Sequence, residues 1–366
     1  MHFHKKGTLS CRRHSIIYFI LPEYVNKRIV EKGSKEQKRR AWQNLIVTEQ
    51  LRGRRNIVGG LSAMFPSSNK LYRSIFDAKN GQNLPGDLVK AEGGAKKGGT
   101  AVDEAYAYSG DTYEFFSKIF ERKSIDNKGM RLDSTVHYGE DYNNAFWNGN
   151  QMVYGDGDGE MFNRFTVSLD VIGHELAHGI TQYEAALEYQ GQSGALNESF
   201  SDVLGSLVKQ HTLKQNVDKA DWLIGAGLFK KKVKGEALRS MKKPGSAYDD
   251  PIIGRDPQPG HMKDYVDTTS DNGGVHINSG IPNRAFYLTA TELGGNAWER
   301  AGMIWYITLQ DRLRENSSFQ DAAELTHSVA GSLFGKNSPE QKAVANGWAG
   351  VGLQIKSVKG STKRRA

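Results

Sequence analysis

The chain has 366 residues, 38% hydrophobic and 25% charged, with a net charge of +8 at neutral pH. This length favours more than one packed unit, and the longest uninterrupted apolar stretch, 16–21, is far shorter than the roughly 20 residues that span a bilayer. A single cysteine excludes an intramolecular disulfide and cysteine-rich metal sites, so a metal site must use His, Asp and Glu.

The positive charge lies at the two ends of the chain. Residues 1–60 hold 14 Lys and Arg against 4 Asp and Glu, residues 355–366 add five more basic residues, and the body between them is net negative, −7. A nucleic-acid-binding protein is expected to show a basic stripe on its folded body. We therefore expect no nucleic-acid partner and no membrane partner.

The first 60 residues predict a basic helical leader. After Pro22, apolar residues recur at spacings of three and four among Lys, Arg and Glu. A signal peptide is the competing interpretation, because Arg12 and Arg13 precede a short apolar run, but polar residues follow where a small-residue cleavage site would stand. We expect secretion, with cytoplasmic accumulation as the alternative because no conventional signal peptide is evident.

Composition divides the chain into four segments. A stretch rich in Gly, Ser, Asn and Pro at 59–68 is typical of a linker, and we expect processing between Arg55 and Lys70. The predicted segments are a basic helical pro-segment (1–60), a β-rich catalytic lobe (61–185), an α-helical catalytic lobe (186–354) and a basic tail (355–366).

The spacing of apolar residues and turn signals predicts the secondary structure of the two lobes. Residues 102–120 predict a helix, and the short segments 130–138 and 145–154 lie between turn signals and predict strands. Beyond Leu169 the pattern is helical almost to the end. The predicted fold class is therefore α+β.

The segment Val171-Ile-Gly-His-Glu-Leu-Ala-His-Gly-Ile-Thr-Gln182 carries the strongest chemical signal. His174 and His178 are four residues apart, so on a helix both imidazoles leave the same face and can share one zinc ion. Glu175 is placed to act as a general base toward water. Two histidines that are only solvated or hydrogen-bonded are the alternative.

The segment 193–202 can supply a third ligand. A catalytic zinc site needs three protein ligands and one open position, and Glu198 can come from a neighbouring antiparallel helix. Asp202, one turn further on, could accept the free N–H of a ligating histidine, and Asn197 is expected in the same supporting layer. An exposed acidic face is the alternative.

The segment 271–278, Asp-Asn-Gly-Gly-Val-His-Ile-Asn, contains a third candidate group. His276 paired with an acid such as Asp271 would be held partly or fully protonated near neutral pH. It could then donate to a developing oxyanion. An ordinary loop histidine is the alternative.

Five ordered motifs together resemble the thermolysin family of zinc endopeptidases over about residues 70–354. The motifs are HELAH with Glu198 twenty residues beyond His178, GALNESFSD, NNAFWNG, MVYGDGDG and DNGGVHINSGI. The short basic leader is similar to the protealysin-like subgroup, with Leu21-Pro22 where two prolines are expected. The resemblance implies a two-lobe zincin with the active-site cleft between the lobes.

The resemblance also implies a role for each matching residue. One catalytic zinc ion would be held by His174, His178 and Glu198, with Glu175 as the base. The oxyanion would be stabilised by His276, with Asp271 behind it, and by Tyr189. Substrate main chain would be held by Arg239, Asn144 and Ala145. A large apolar residue after the scissile bond would enter a pocket lined by Phe162, Phe165, Val171, Ile224 and Leu238.

The function implied is a secreted, monomeric neutral endopeptidase made as a zymogen. Its partners would be protein and peptide substrates and its own pro-segment as intramolecular inhibitor. A zinc-fold binding protein without turnover and a zinc aminopeptidase are the alternatives. Cys11 could cap the zinc of a latent form, but no dedicated local motif surrounds it, and an incidental leader cysteine is the favoured interpretation.

One departure from the family concerns calcium. Thermolysin has a double calcium site built from several carboxylates, of which Asp170 is retained here. Lys209 stands at the position of another, and the segment 222–227 has apolar residues where family acids often stand. A lysine would place a positive charge against a cation. We therefore expect the double site to be absent, although calcium elsewhere remains possible.

Overall fold

The computed structural model describes residues 17–53, 70–94 and 98–355. Cys11, most of the expected processing region and all but the first residue of the basic tail lie outside this part. Among the described residues, no helix has the length and apolar character needed to cross a bilayer.

A six-stranded mixed sheet forms the first lobe, in the order β1-β5-β6-β4-β2-β3. Its strands are β1 Tyr18–Phe19, β2 Arg73–Asp77, β3 Asp87–Ala91, β4 Leu132–Val136, β5 Ala145–Trp147 and β6 Met152–Tyr154. The β2/β4 and β4/β6 pairs are parallel and the others antiparallel. The leader thus contributes the edge strand β1, which lies against β5.

The helices lie in the leader, against the sheet and in the second lobe. They are α1 Glu23–Lys32, α2 Lys35–Gly53, α3 Thr100–Phe120, α4 Leu169–Tyr183, α5 Gly191–Thr212, α6 Asp271–Asn278, α7 Gly280–Leu293, α8 Ala301–Ile307, α9 Phe319–Phe334 and α10 Pro339–Ala349. The α+β class, the helix at 102–120, the strands within 130–138 and 145–154, and the helical leader are confirmed.

The expectation of nearly continuous helix beyond Leu169 was wrong for residues 213–270. This segment holds two short hairpins, β7 Leu223–Ile224 with β8 Arg239–Ser240 and β9 Asp249–Asp250 with β10 Gly254–Arg255. Glycines and prolines recur throughout it, and both residue types end helices. The segment nevertheless places Arg239 of β8 beside Asp202 of α5.

Two glycines allow α4 and α5 to pack backbone to backbone. A Cβ added to Gly205 would lie 2.4 Å from the carbonyl oxygen of Asp170, and one added to Gly173 would lie 3.0 Å from the Cα of Gly205. Both helices are buried over most of their length. This close approach sets the separation of the side chains that α4 and α5 present to each other.

Gly205→Ala is therefore expected to destabilise the protein by about 1–3 kcal/mol, because overpacking must push the two helices apart. Gly99→Ala is the matched control, since a Cβ there meets nothing within 4 Å. Thermal unfolding followed by circular dichroism measures the difference. Equal melting temperatures for the two variants would contradict the close packing of α4 on α5.

Candidate metal centre and substrate cleft

Helices α4 and α5 bring together the three expected metal ligands. His174 and His178 lie on one face of α4, and Glu198 faces them from α5, with one ligand atom of each within 4.8 Å of the others. The two Nε2 atoms are 2.9 Å apart, and the Glu198 carboxylate oxygens lie 3.5 and 3.4 Å from them. All three side chains are fully buried.

Hydrogen bonds on the far side of each imidazole fix which nitrogen faces the centre. His174 Nδ1 lies 2.8 Å from Asp202 Oδ1, and His178 Nδ1 donates to Asn197 Oδ1 at 2.8 Å. Burial lowers the pKa of His178 well below its usual value, and His174 lowers it further. Each Nδ1 therefore carries the proton, and each Nε2 presents a lone pair to Glu198.

The arrangement fits a bound cation. Two lone pairs and a carboxylate facing one another in a dry site repel, and Glu198 Oε2 is buried without a hydrogen-bond donor. Ligands of a tetrahedral zinc ion lie about 3.3 Å apart for metal–ligand bonds of 2.0–2.1 Å. The observed separations of 2.9–3.5 Å bracket that value. His174, His178 and Glu198 are thus a suitable zinc-binding set.

Asp202 is held by a network behind the centre. Its carboxylate receives two hydrogen bonds from Arg239, at 2.9 and 2.8 Å, and one from Asn283 at 2.8 Å. Burial raises the pKa of Asp202, but Arg239 and His174 overcome this and keep it below the usual range. Asn283 was not expected from the sequence, because nothing local marks it.

Glu175 lies beside the ligands with one oxygen anchored and one free of protein donors. Oε2 accepts a hydrogen bond from the backbone N–H of Trp147 at 3.0 Å, whereas Oε1 is buried without a partner. Burial, followed by the charge of Glu198, raises the pKa of Glu175 well above its usual value. Such a carboxyl can hold a proton near neutral pH.

His276 lies beside the centre, with its Nε2 3.5 Å from Glu198 Oε1. Its Nδ1 lies 2.6 Å from Asp271 Oδ1, and its Nε2 is 3.2 Å from Tyr189 Oη, which also donates to Glu198. Burial acts to lower the pKa of His276, but Asp271 and Glu198 raise it to about 9. The imidazole is therefore cationic at neutral pH, with both N–H groups available to donate.

A left-handed turn positions this pair. Asp271, Asn272, Gly273 and Gly274 have successive φ values of 54°, 49°, 78° and 75°. This turn folds the Asp271 carboxylate back onto both the backbone N–H and the ring of His276. The glycines adopt this conformation at little cost.

The leader lies in the cleft, a feature that the sequence did not reveal. The Ile20 N–H donates to Ala145 O at 3.1 Å, and Asn144 bonds both the N–H and the carbonyl of Leu21, at 2.9 and 3.1 Å. Arg239 Nη1 donates to Ile20 O at 3.3 Å. The only sequence signal was the apolar run 16–21 in a polar leader.

The five expected pocket residues are buried in one apolar cluster that also contains Ile20 and Leu21 of the leader. They are Phe162, Phe165, Val171, Ile224 and Leu238. Each is at most 4% exposed, and the strand β7 that carries Ile224 pairs with the strand that carries Arg239. All five side chains are therefore closed off from solvent in this structure.

Glu198→Gln is expected to remove zinc from the purified chain, because a neutral amide is a poor replacement for the only anionic ligand. The amide has the same shape, so the fold should survive. Glu188→Gln, an exposed acid ten residues earlier, is the matched control. Metal analysis after dialysis, with circular dichroism to verify folding, measures the difference. Full zinc retention by Glu198→Gln would contradict the ligand set.

Comparison with known proteins agrees with this geometry. A curated extracellular metalloprotease of Pectobacterium carotovorum subsp. carotovorum is 52% identical over 92% of this chain and 96% of its own. A thermolysin of Bacillus sp. (strain EA1) is 39% identical over 76% of this chain and 50% of its own. The solved precursor of protealysin, a metalloproteinase from Serratia proteamaculans, is 52% identical, covering 92% and 99%, with a TM-score of 0.85.

Residues 58–182 match the thermolysin metallopeptidase catalytic domain, and residues 185–353 match the alpha-helical domain of the same family. These matches span both lobes and include every candidate metal ligand. The chain belongs to the thermolysin family of zinc metalloendopeptidases.

Proposed function

We propose that this chain is the latent form of a secreted neutral endopeptidase that cleaves before large apolar residues, with residues 1–60 as its inhibitor. One observation carries the proposal: the leader passes through the cleft beside the metal centre and forms the main-chain hydrogen bonds that an extended peptide would form. The solved relative is itself a precursor, and a relative described as extracellular supports secretion.

The leader is attached to the body by charge as well as by apolar burial. Arg40 on α2 lies 2.9 Å from Asp141 and 3.3 Å from Glu160, and Gln37 also bonds Glu160. Such partly exposed pairs each contribute little, about 0–1 kcal/mol. They favour docking of a basic segment on an acidic body, while Ile17, Phe19 and Leu51 supply apolar contact with the sheet.

The catalytic roles follow from the positions of the side chains. Zinc, when bound, supplies Lewis-acid chemistry toward a peptide carbonyl and makes water more acidic. Glu175 takes a proton from water with its unpartnered oxygen and passes it to the leaving amine. His276, held by Asp271, and Tyr189 donate to the carbonyl oxygen as it gains charge.

Cleft geometry favours an endopeptidase over an aminopeptidase. The described part of the leader extends in both directions from the Phe19 carbonyl at His276, because Tyr18 pairs with Trp147 before it and Leu21 bonds Asn144 after it. Main-chain pairing with β5 does not depend on the side chains of the bound peptide, which suits an enzyme acting on many sequences. The apolar pocket adds a modest preference, since each methylene is worth about 1–3 kcal/mol.

Glu175→Gln is expected to lower casein hydrolysis by at least about 10²-fold while zinc remains bound, because the proton acceptor is lost and the ligands are untouched. If removal of the leader is autocatalytic, this variant also accumulates at full length. Activity, metal content and intact mass are measured on the same preparation. Full activity in this variant would contradict the assigned base, and zinc binding without turnover in the parent protein after removal of its leader would favour the binding-protein alternative.

We also propose that the double calcium site of thermolysin is replaced by an ammonium group. Lys209 Nζ lies 2.8 Å from Asp170 and 2.9 Å from Asp221, and only 10% of its side chain is exposed. Asp170 further accepts from Ser168 and the backbone of Gly225. An internal cation thus supplies the charge that a calcium ion would otherwise supply.

Exhaustive dialysis of zinc-loaded protein into calcium-free buffer that contains zinc is accordingly expected to leave the melting temperature unchanged. Lys209→Met should cost about 3–5 kcal/mol, because it leaves Asp170 buried without its cation. Lys118→Met is the control, since Lys118 pairs with Glu114 on the surface. Calorimetry distinguishes them. A large drop in melting temperature on calcium removal would contradict the replacement.

A further inference from the structure

We infer that Asn283 is a positioning residue of the metal centre: its side-chain amide fixes the orientation of the Asp202 carboxylate and, through it, the ring of the zinc-binding His174. The inference rests on the zinc-binding set of the proposed function and deepens it. Asn283 lies two residues beyond the last of the sequence motifs, which ends at Ile281, and the catalytic roles assigned above do not use it.

Three structural elements converge on the single carboxylate of Asp202, which lies on α5. His174 of α4 places Nδ1 2.8 Å from Oδ1, and Arg239 of β8 donates to both oxygens, at 2.9 and 2.8 Å. Asn283 of α7 donates through Nδ2 to Oδ2 at 2.8 Å. Each carboxylate oxygen thus has two partners, which is its full capacity as an acceptor.

The bond from Asn283 limits rotation of this carboxylate. Rotation about the last side-chain bond of an aspartate is soft, so hydrogen bonds decide where the two oxygens lie. Arg239 holds both oxygens, but it also donates to a main-chain carbonyl in the cleft. The Asn283 amide has Asp202 as its only acceptor among the described residues, so it holds Oδ2 independently of what Arg239 binds. With Oδ2 held, Oδ1 stays directed at His174.

The unused half of the amide distinguishes this role from ordinary packing. Asn283 is fully buried, and its Oδ1 has no hydrogen-bond donor within the part of the chain that the structure describes. Asn278 on α6 is equally buried but uses both halves of its amide on the backbone of Val266, at 3.0 and 2.9 Å. A buried acceptor without a donor is unfavourable, so an amide that served only packing would be placed like Asn278. Asn283 keeps this disadvantage and makes one bond, to Asp202.

A neutral donor suits this position. A second cation beside Asp202 would compete with His174 for the negative charge of the carboxylate, whereas an amide orients the carboxylate and leaves that charge facing the ring. A carboxylate on the far nitrogen makes an imidazole a better metal ligand and fixes which nitrogen meets the metal. Asn283 therefore acts on zinc binding through Asp202 and His174.

The zinc affinity of the full chain tests the inference. Asn283→Leu removes the donor and keeps a similar side-chain volume, whereas Asn283→Ala removes the donor and leaves space. We expect both variants to bind zinc about 10–100-fold more weakly than the parent chain, the usual effect of losing a residue that supports a metal ligand. Competition with a chromophoric chelator at fixed pH measures the affinity. Agreement between the two variants assigns the loss to the donor rather than to packing.

Asn278→Leu is the matched control, because it removes a buried amide from the neighbouring helix. Its melting temperature should fall, since two backbone groups of Val266 lose their partner. Its zinc affinity should stay close to that of the parent chain. Circular dichroism verifies that each variant is folded before zinc is added, and where leucine is not accommodated at position 283 the alanine variant gives the same comparison.

Cobalt substitution provides a second readout that does not depend on affinity. The visible absorption bands of cobalt-loaded protein report the geometry of the metal ligands. Asn283→Leu should shift these bands, because the ring of His174 is no longer held in one orientation. Asn278→Leu should leave them unchanged.

The outcomes distinguish the inference from the proposed function. Parent-like zinc affinity in a folded Asn283 variant, or an equal loss of affinity in Asn278→Leu, overturns the positioning role and leaves the zinc ligands in place. A parent chain that binds no zinc removes the ligand set and the proposed function together.

Discussion

Two imidazole nitrogens and a carboxylate face one another within 3.5 Å in a dry site. The rest of the structure holds these three groups in place. The two glycines at the α4/α5 contact bring the helices close enough to create it. Asp202 and Asn197 orient the rings, and Arg239 balances the charge of Asp202. Without a cation these three groups would repel one another. Their burial therefore supports a bound metal as strongly as the sequence motif does.

The leader uses the surfaces that a substrate would use. Arg239 bonds Asp202 on one side and the carbonyl of Ile20 on the other, so a single guanidinium connects the support of the metal centre with the binding of peptide. Under the proposed function, latency and catalysis would therefore depend on the same contacts. The proposed inhibitor would need no additional site, and its release would require loss of the apolar and ionic packing of α1 and α2 rather than a change at the metal.

The sequence predicted the grouping of His174, His178 and Glu198 because its signals are local. The spacing of His174 and His178 follows from helical periodicity, and the family motif supplied Glu198. The role of Tyr18–Leu21 could not be predicted, because it depends on docking against β5, more than 120 residues away, and the same apolar run also suits a signal peptide. The segment 213–270 differs from its predicted helical pattern because its glycines and prolines end helices.

X-ray absorption spectroscopy at the zinc edge tests the central claim most directly. The account predicts, for the full chain loaded with one zinc ion, a first shell of nitrogen and oxygen only, with the outer-shell scattering of two imidazoles. A sulfur scatterer, which would indicate Cys11 as a ligand, or the signature of fewer than two imidazoles, would contradict it.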